Sequence, residues 1–526
     1  MRGLACCLVW VALVAAQPLA SPSGSPAASA SADSTVAGAP GVEADLRSAH
    51  EVRSLPGVAQ GASFGPHYSG YLRVEGGLEI FYYFAPHPDR SKPLVAWMNG
   101  GPGASSLAGL FTELGPFLLN RRSVPNASEG KGWQLFTNPH GWNHEASLLG
   151  WEQPAGVGFS RCRAGPCPTW NDTTATEANL RFLLAFFQLY PEERARRFVI
   201  AGESYGGIYV PLLATSILRH NEQAPEARRL RLHGIAAGNG CVGYAVDGGC
   251  GTDSLELFVA VLEQGAPRIG RDVLADVRAS CEGQLTVGLT LEQLSGGCRP
   301  AYVRLLEEAA YYNEYHMGSP CGPDGLGNWG DGTSFTCGAP AALSKYVTEA
   351  AVQCALHVIP CDNKTKPLTW QEWDGDFPYY NVTAADAQPA YRELLAAGVR
   401  ILIYNGLRDT SVPAIGAEKW LPRVAGAAVS EPRRHWSGPD GSLAGDVVGY
   451  ASGLTFATLE GAGHLVPADR PSEARAMLAA WLRGEQLPKY AGPRCKRLWL
   501  GRKYSGDGFS CRGGLDEAEQ GAELVV

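Results

Sequence analysis

The chain has 526 residues, of which 45% are hydrophobic and 18% are charged, and this composition is typical of a folded globular protein. Its formal net charge of −8 provides no surplus of cations for nucleic-acid phosphates, which excludes a basic nucleic-acid binder. The 65 glycines and 36 prolines indicate many turns, but they follow no collagen-like period. Because the sequence also has no internal repeat, fibrous and solenoid proteins are excluded as well.

The amino terminus, residues 1–16, has the features of a secretory signal peptide. A basic residue precedes an apolar run that ends in small residues, and we place the cleavage after Ala16. A membrane anchor would need about 20 apolar residues, and Gln17 and Pro18 interrupt this run. Residues 17–45 are rich in Ser, Ala, Pro and Gly, and we interpret them as a flexible leader or propeptide. No later stretch is long and apolar enough to predict a membrane anchor.

The cysteines and the glycosylation sequons agree with passage through the secretory pathway. Twelve of the 14 cysteines lie beyond the predicted signal, and an even number is what disulfide bonding requires. Cys162 with Cys167, or Cys495 with Cys511, are candidate pairs, although spacing leaves the connectivity open. The sequence has no short CxxC pair, so we predict no metal site and no cofactor. Four sequons predict N-glycosylation at Asn126, Asn171, Asn363 and Asn381.

Residues 197–210 contain the pattern of a nucleophile elbow. A β-prone apolar run leads into the pentapeptide GESYG at 202–206, and an apolar stretch compatible with a helix follows at 208–218. Small residues on either side of Ser204 allow a strained strand-to-helix turn that exposes the hydroxyl to a base. A second GxSxG pattern, around Ser63, follows a turn instead of a strand, and we interpret it as a loop.

Two later strands are followed by residues that could complete a catalytic triad. The run 399–404 precedes a loop with Asp409, and the run 454–459 leads through glycines to His464. A helix with an apolar face begins near Pro471. The alternative is that both residues are ordinary polar residues of loops. The order Ser, Asp, His is that of an α/β-hydrolase, and we predict an α/β protein with that fold and a central, mostly parallel sheet.

Four motifs in this order resemble the serine carboxypeptidase family, and the resemblance covers residues 55–487. The motifs are WMNGGPGASSL at 97–107, WEQPAGVGFS at 151–160, GESYGG at 202–207 and GHLVP at 463–467. Together they are far more specific than a lone GxSxG pattern.

The resemblance implies a role for each residue of a serine hydrolase site. Ser204 would be the nucleophile, His464 the general base, and Asp409 the carboxylate that orients the imidazole. The backbone N–H groups of Gly101 and Tyr205 would form the oxyanion hole. We expect Gly101 to lack a side chain so that its amide can approach the reacting carbon closely.

The resemblance also implies a site for the C-terminal carboxylate of a substrate. The matching residues are Trp97, Asn99, Gly100, Glu113 and Glu203. A glutamate can bind a carboxylate only if the two share a proton, because like charges in contact raise one pKa strongly. Binding is therefore expected to be best at acidic pH. The alternative is that Glu203 is only a residue of the elbow and Glu113 a charge on a helix surface.

The sequence predicts a core that is divided by an insertion. Residues 46–240 and 377–490 would form the two parts of the α/β-hydrolase core. Residues 241–376 hold eight of the twelve mature cysteines, and we predict a disulfide-rich insertion, or lid domain, over the active site. The alternative is a disulfide-linked surface excursion with no catalytic part. Residues 491–526 would be a C-terminal extension with an acidic tail.

These features predict a serine-type carboxypeptidase that releases C-terminal amino acids from peptides and proteins through an acyl-enzyme on Ser204, at acidic pH. Its substrates would carry a free C-terminal carboxylate. The protein would be secreted or held in an acidic, vacuole-like or lysosome-like compartment. An acyltransferase or esterase with the same triad is the first alternative, because an alcohol or amine can resolve an acyl-enzyme in place of water. A non-catalytic secreted glycoprotein is the second.

Overall fold

The structure is a computed structural model, and its described residues begin at 40 and end at 512. They are 40–59, 65–250, 255–263, 269–285, 291–309, 313–317, 337–362, 364–370, 380–492, 494–496 and 510–512. The predicted signal peptide, the loop serine Ser63 and the sequon asparagine Asn363 lie outside these residues. The strands are β1 (Glu51–Val52), β2 (His67–Val74), β3 (Leu78–Ala85), β4 (Leu94–Met98), β5 (Phe117–Leu118), β6 (Phe136–Thr137), β7 (Ser147–Trp151), β8 (Arg161–Cys162), β9 (Trp170–Asn171), β10 (Phe198–Glu203), β11 (Leu232–Gly238), β12 (Tyr380–Asn381), β13 (Arg400–Gly406), β14 (Val429–Ser437), β15 (Leu443–Tyr450), β16 (Leu454–Leu459), β17 (Arg494–Lys496) and β18 (Ser510–Arg512). The helices are α1 (Pro40–Ala49), α2 (Ser106–Thr112), α3 (Asp172–Leu189), α4 (Gly206–Gln223), α5 (Leu255–Glu263), α6 (Arg271–Ser280), α7 (Cys298–Ala309), α8 (Ala339–Val347), α9 (Ala350–Ala355), α10 (Gln388–Ala396), α11 (Ala414–Ala425), α12 (Val466–Asp469) and α13 (Pro471–Arg483).

A twelve-stranded mixed sheet forms the centre of the molecule. Its order is β1-β2-β3-β7-β4-β10-β11-β13-β16-β15-β14, and β8 pairs with β3. The middle strands, from β7 to β16, pair in parallel, whereas the strands at both edges pair antiparallel. Strands β4 and β10 are buried along their whole length, as continuous apolar sequence predicts for parallel strands covered on both faces. The predicted α/β-hydrolase fold, with its mostly parallel central sheet, is confirmed.

The local elements that flank the predicted triad form where the sequence places them. Strand β16 spans residues 454–459, and β10 ends immediately before Ser204. Helix α4 begins two residues after this serine, and α13 begins at Pro471. The five residues predicted to form the apolar face of α13 are all buried, and they are Ala474, Met477, Leu478, Trp481 and Leu482.

Two hydrophobic cores cover the two faces of the sheet. Helices α3, α4, α10 and α11 contribute buried residues to one core, and α2, α8, α9 and α13 contribute to the other. A third, separate core joins helices α5, α6 and α7, with Ile415 of α11 packed against them. These three helices lie within the predicted insertion, which therefore has packing of its own.

The disulfides among the described residues connect cysteines that are close in sequence. Cys162–Cys167 was one of the two predicted pairs and is confirmed. The other predicted pair, Cys495 with Cys511, is level in the β17–β18 ladder, and its disulfide stays a prediction. The bonds are Cys162–Cys167, Cys241–Cys250, Cys281–Cys298 and Cys354–Cys361.

Two segments modify the predicted organisation in detail. Helix α1 begins at Pro40, so the last residues of the 17–45 segment are helical instead of flexible.

Two of the sequon asparagines, Asn171 and Asn381, lie level with each other in the short parallel β9–β12 ladder. Asn171 also caps α3, because its side chain accepts a hydrogen bond from Thr174 N. Glycosylation at these asparagines stays a prediction.

Candidate active site

The three predicted triad residues lie beyond the carboxyl ends of neighbouring parallel strands. Ser204 follows β10, Asp409 lies in the loop after β13, and His464 lies in the loop after β16. Gly238 of β11 is level with the last residue of β10 and with Tyr404 of β13, so these strands end at one edge of the sheet. This is the edge at which α/β proteins bind their ligands.

Ser204 occupies the strained turn that the elbow pattern predicts. Its φ angle is 57°, in the left-handed region that costs a non-glycine residue about 1–3 kcal/mol. The turn is held by its neighbours, because Ser204 N donates to Gly238 O at 3.0 Å and Ser204 O accepts from Cys241 N at 2.9 Å. The hydroxyl makes no hydrogen bond to His464 within the described part of the chain. Such catalytic contacts commonly tighten only when substrate binds.

Asp409 and His464 form a buried, hydrogen-bonded pair. Asp409 Oδ2 lies 2.7 Å from His464 Nδ1, and each side chain is at most 3% exposed. Ser411 N and Val412 N also donate to the carboxylate, at 2.8 Å and 3.1 Å. Burial lowers the pKa of His464, but the Asp409 carboxylate outweighs it and the pKa lies above its ordinary value. The pair keeps a proton on Nδ1 and leaves Nε2 to accept another.

Asn239 is a residue of this site that the sequence reasoning missed. It follows β11, has a φ angle of 39°, and its Nδ2 donates to Asp409 Oδ2 at 2.7 Å. Its Oδ1 accepts from Gly406 N at 2.9 Å, which fixes the end of β13. Asn239 therefore orients the carboxylate that orients His464. The available signal was an Asn-Gly pair directly after an apolar run, since Asn tolerates the left-handed conformation that such a turn needs.

A segment of the predicted insertion, residues 313–317, contacts the loops that carry Asp409 and His464. Thr410 donates to Glu314 O through its backbone N at 3.0 Å and through its hydroxyl at 2.6 Å. Met317 N donates to Arg408 O at 2.8 Å. We call residues 313–317 the bridging segment.

Tyr315 of the bridging segment lies against the imidazole of His464. The two rings stack with centroids 4.7 Å apart and an interplanar angle of 24°. His464 N also donates to Tyr315 O at 2.6 Å. Burial raises the pKa of the neighbouring Glu314 carboxyl, which also interacts electrostatically with His464. No local sequence pattern points to this contact, because it joins loops that are far apart in the chain.

The glycine-rich segment 99–104 packs against the elbow. Gly101 has a φ angle of 105°, a conformation that L side chains rarely adopt. The closest approach is made by its neighbour, because a Cβ at Gly100 would lie 2.5 Å from Tyr205 N and 2.7 Å from Ser204 Cβ. The expectation that Gly101 lets its amide approach the reacting carbon closely stays a prediction. Gly101 is needed for its backbone angle, and Gly100 for the close contact with the elbow.

Four of the five residues predicted to bind a carboxylate form one hydrogen-bonded group beside the elbow, and they are Trp97, Asn99, Glu113 and Glu203. Trp97 Nε1 donates to Asn99 Oδ1 at 2.6 Å, and Gly109 N donates to the same oxygen at 3.1 Å. With its oxygen thus occupied, Asn99 directs Nδ2 to Glu203 Oε1 at 2.8 Å. Gly109 was missed from sequence; a side chain there would collide with the Trp97 indole.

Glu113 and Glu203 form a buried pair of like carboxyl groups. Both are at most 3% exposed, and the two carboxyl groups interact directly. Burial raises the pKa of Glu113 to about 7, and burial together with the charge of Glu113 raises that of Glu203 well above its ordinary value. The Oε2 atoms of both residues lack any other hydrogen-bond partner. A proton held between the carboxyl groups would satisfy both oxygens, and the pair therefore carries at least one proton in acid.

Two kinds of feature are absent from the part of the chain that the structure describes. None of its helices is long and apolar enough to cross a membrane. Its His, Cys, Asp and Glu side chains form no group of three or more that could hold a metal ion.

Comparison with known proteins gives matches over most of the chain. The family model described as serine carboxypeptidase matches residues 56–484. Serine carboxypeptidase-like 36 of Arabidopsis thaliana is 31% identical over 458 residues, which are 84% of this chain and 87% of the relative. Serine carboxypeptidase 1 of Hordeum vulgare is 30% identical over 490 residues, covering 83% of this chain and 93% of its own length. The crystal structure of KEX1(delta)P, a prohormone-processing carboxypeptidase from Saccharomyces cerevisiae, superimposes with a TM-score of 0.63 at 22% identity, covering 83% of this chain and 96% of that one.

Proposed function

Because this chain belongs to the serine carboxypeptidase family and is a serine-type peptide hydrolase, we propose that it removes C-terminal amino acids through an acyl-enzyme on Ser204. Asp409 and His464 would complete the triad, and the amides of Gly101 and Tyr205 would bind the oxyanion. Peptides with a free C-terminal carboxylate would be the substrates.

The reaction needs one proton acceptor and one anion site, and the described residues can supply both. His464 Nε2 takes the proton of the Ser204 hydroxyl as its oxygen attacks the last peptide carbonyl. The resulting oxyanion is stabilised by backbone N–H donors, and the loss of one such donor typically costs about 10²–10³ in rate. The same proton then passes to the departing amine, and the C–N bond breaks. Water, deprotonated by His464, hydrolyses the ester and restores Ser204.

The observation that carries the choice of exopeptidase is the group formed by Asn99, Glu203 and Glu113. Its hydrogen bonds hold the two carboxyl groups beside the elbow, and their raised pKa values favour the protonated forms in acid. Such a pair can donate a hydrogen bond to a substrate carboxylate, which two ionised glutamates would repel. A site that received only esters or alcohols would not need it. Because the Glu113 carboxyl loses its proton as pH rises through its pKa of about 7, recognition is expected to be strongest in acid.

We also propose that the insertion, residues 241–376, acts as part of the site. The contact that supports this role is the stacking of Tyr315 on His464, together with the hydrogen bonds of the bridging segment. A surface excursion without a catalytic part would have no reason to contact the base. The signal-like amino terminus and the disulfides support a secreted or vacuole-type location.

The proposal is tested by mass-spectrometric hydrolysis of an N-blocked peptide acid and of its C-terminal amide, from about pH 4 to 8. We expect single residues to leave the peptide acid at a rate that falls as pH rises through about 7, and the amide to be cleaved far more slowly. Ser204→Ala is the control and should be inactive. Cleavage or transfer of simple esters with no cleavage of the peptide acid would replace this proposal with an esterase or acyltransferase. Inactivity on every substrate would indicate a non-catalytic glycoprotein.

A further inference from the structure

Asp172 is a buried carboxylate outside the residues discussed so far, and it connects three parts of the chain. It is the first residue of α3 and is 2% exposed. Its Oδ1 accepts from Tyr205 Oη at 2.7 Å and from Tyr380 Oη at 3.0 Å. Its Oδ2 accepts from the backbone N and hydroxyl of Thr383 and from Ala384 N at 2.8 Å. All five donors are neutral groups, and the positive amino-terminal end of the α3 dipole favours a negative charge on the Asp172 carboxylate.

Tyr205 links this carboxylate to the nucleophile. It is the residue after Ser204, and its ring is buried against Tyr209 and Tyr380, with centroids 4.9 Å and 6.0 Å away. Its backbone N lies at the surface that Gly100 packs against. The hydroxyl of Tyr205 is therefore held by the buried Asp172 carboxylate, while the backbone of Tyr205 forms part of the elbow.

We propose that Asp172 is a positioning residue for the oxyanion hole, acting through the hydroxyl of Tyr205. The proposal rests on the proposed function, in which the amide of Tyr205 binds the oxyanion. An amide stabilises a developing charge only if it is already aimed at the position where the charge forms. Backbone bonds hold both residues of the strained elbow, since Ser204 O accepts from Cys241 N at 2.9 Å and Tyr205 O accepts from Ile208 N at 2.9 Å. The bond to Asp172 holds the next residue from the far end of its side chain.

The two tyrosines provide a matched test, because both donate to the same oxygen of Asp172 and only one is attached to the elbow. Tyr205→Phe and Tyr380→Phe each remove one hydroxyl and leave the ring. We expect Tyr205→Phe to lower kcat for the N-blocked peptide by about 10–100-fold, less than the loss of a whole oxyanion donor, with KM changed less than about threefold. Tyr380→Phe should stay within about threefold of the unmodified enzyme in both constants. Asp172→Asn should lower kcat about as much as Tyr205→Phe does. The double variant Asp172→Asn/Tyr205→Phe should lose little more kcat than either single variant.

The rate of Ser204 labelling by a fluorophosphonate is measured on the same variants. This reagent needs the nucleophile and the oxyanion hole but no peptide, so it decides the inference even if the enzyme cleaves no peptide acid. Thermal unfolding midpoints are measured to check that each variant is folded. If Asp172→Asn fails to fold, the comparison of Tyr205→Phe with Tyr380→Phe still tests the proposal. Equal losses in Tyr205→Phe and Tyr380→Phe would make Asp172 a purely structural anchor and overturn the proposal. An unchanged labelling rate in Tyr205→Phe would overturn it as well.

Discussion

Two buried pairs of ionisable side chains flank Ser204, and burial acts on them in different ways. In the Asp409–His464 pair, burial disfavours the imidazolium, but the opposite charge of the carboxylate overcomes it and raises the pKa of His464. In the Glu113–Glu203 pair, burial raises both pKa values, and the like charge of Glu113 raises the pKa of Glu203 further. The first pair favours the charged imidazolium, whereas the second favours neutral, protonated carboxyl groups.

The difference sets opposite pH requirements for the two pairs. In the proposed mechanism His464 accepts the serine proton only when it is neutral, so its pKa would define the rising limb of activity. In the proposed mechanism the glutamate pair binds a carboxylate best while Glu113 holds its proton, so activity on peptide acids should fall as pH passes about 7. Peptide acids should therefore show a bell-shaped profile of kcat/KM. Esters of N-blocked amino acids, which present no carboxylate, should show only the rising limb.

The largest effect should come from breaking the Asp409–His464 pair. Asp409→Asn places an amide NH₂ where donors now meet both carboxylate oxygens, which disfavours the required tautomer of His464. We expect kcat to fall about 10⁴-fold, as for other triads, when hydrolysis of the peptide acid is measured. Asp446→Asn is the matched control, because Asp446 also pairs with a histidine, His435, at 2.6 Å. A loss of similar size in both variants would contradict a special role for Asp409.

A smaller effect should follow when the support of Asp409 is removed. Asn239→Ala deletes the donor to Asp409 Oδ2 and the acceptor for Gly406 N. A hydrogen bond to a charged group contributes about 1.5–3 kcal/mol, and we expect kcat to fall about 10–100-fold with little change in KM. Steady-state kinetics on peptide acid and ester should show the same loss, since both need the base. A loss confined to peptide acids would assign Asn239 to substrate binding instead.

The glutamate pair is tested by making it unable to ionise. In the double variant Glu113→Gln/Glu203→Gln, the amides can still donate hydrogen bonds, but no proton can be lost. Above pH 7 the unmodified enzyme should lose about tenfold in kcat/KM for peptide acids per pH unit, and the double variant should lose far less. Its pH profile on esters should match that of the unmodified enzyme. An unchanged falling limb on peptide acids would mean that another group controls it.

The smallest expected effect concerns the ring that stacks on the base. Tyr315→Ala removes the stacked partner of His464, and aromatic pairs contribute about 0.5–1.5 kcal/mol beyond area burial. We expect kcat to fall about 2–10-fold on peptide acid and ester alike. Tyr315→Phe, which keeps a ring, should retain nearly full activity. Equal losses in the two variants would show that the hydroxyl, and not the stacking, is what matters.

The sequence predicts the residues that would bind and react with a substrate better than it predicts the residues that hold them in position. Ser204, His464 and Glu203 lie in continuous motifs whose local order already implies a turn after a strand. Asn239 and Asp172 act through partners more than 30 residues away, at Asp409 and Tyr205, so no local pattern reveals them.

The fold shows the same division between local and distant information. Strands β10, β13 and β16 and helix α13 follow from apolar periodicity, which is a local property. The edge strands β14 and β15, which pair antiparallel outside the parallel strands, carry weaker patterns and were not predicted. Their pairing depends on the sheet that is already present.

The bridging segment also sets a limit on protein engineering. It lies between residues 241 and 376, yet its backbone bonds to the loops of Asp409 and His464. An exchange of the whole insertion with that of a relative would therefore exchange part of the support of the base. Chimaeras should retain residues 313–317 together with residues 408–410 and 464 from the same parent. The boundaries of a chimaera should therefore follow this set of contacts and not the ends of the contiguous insertion.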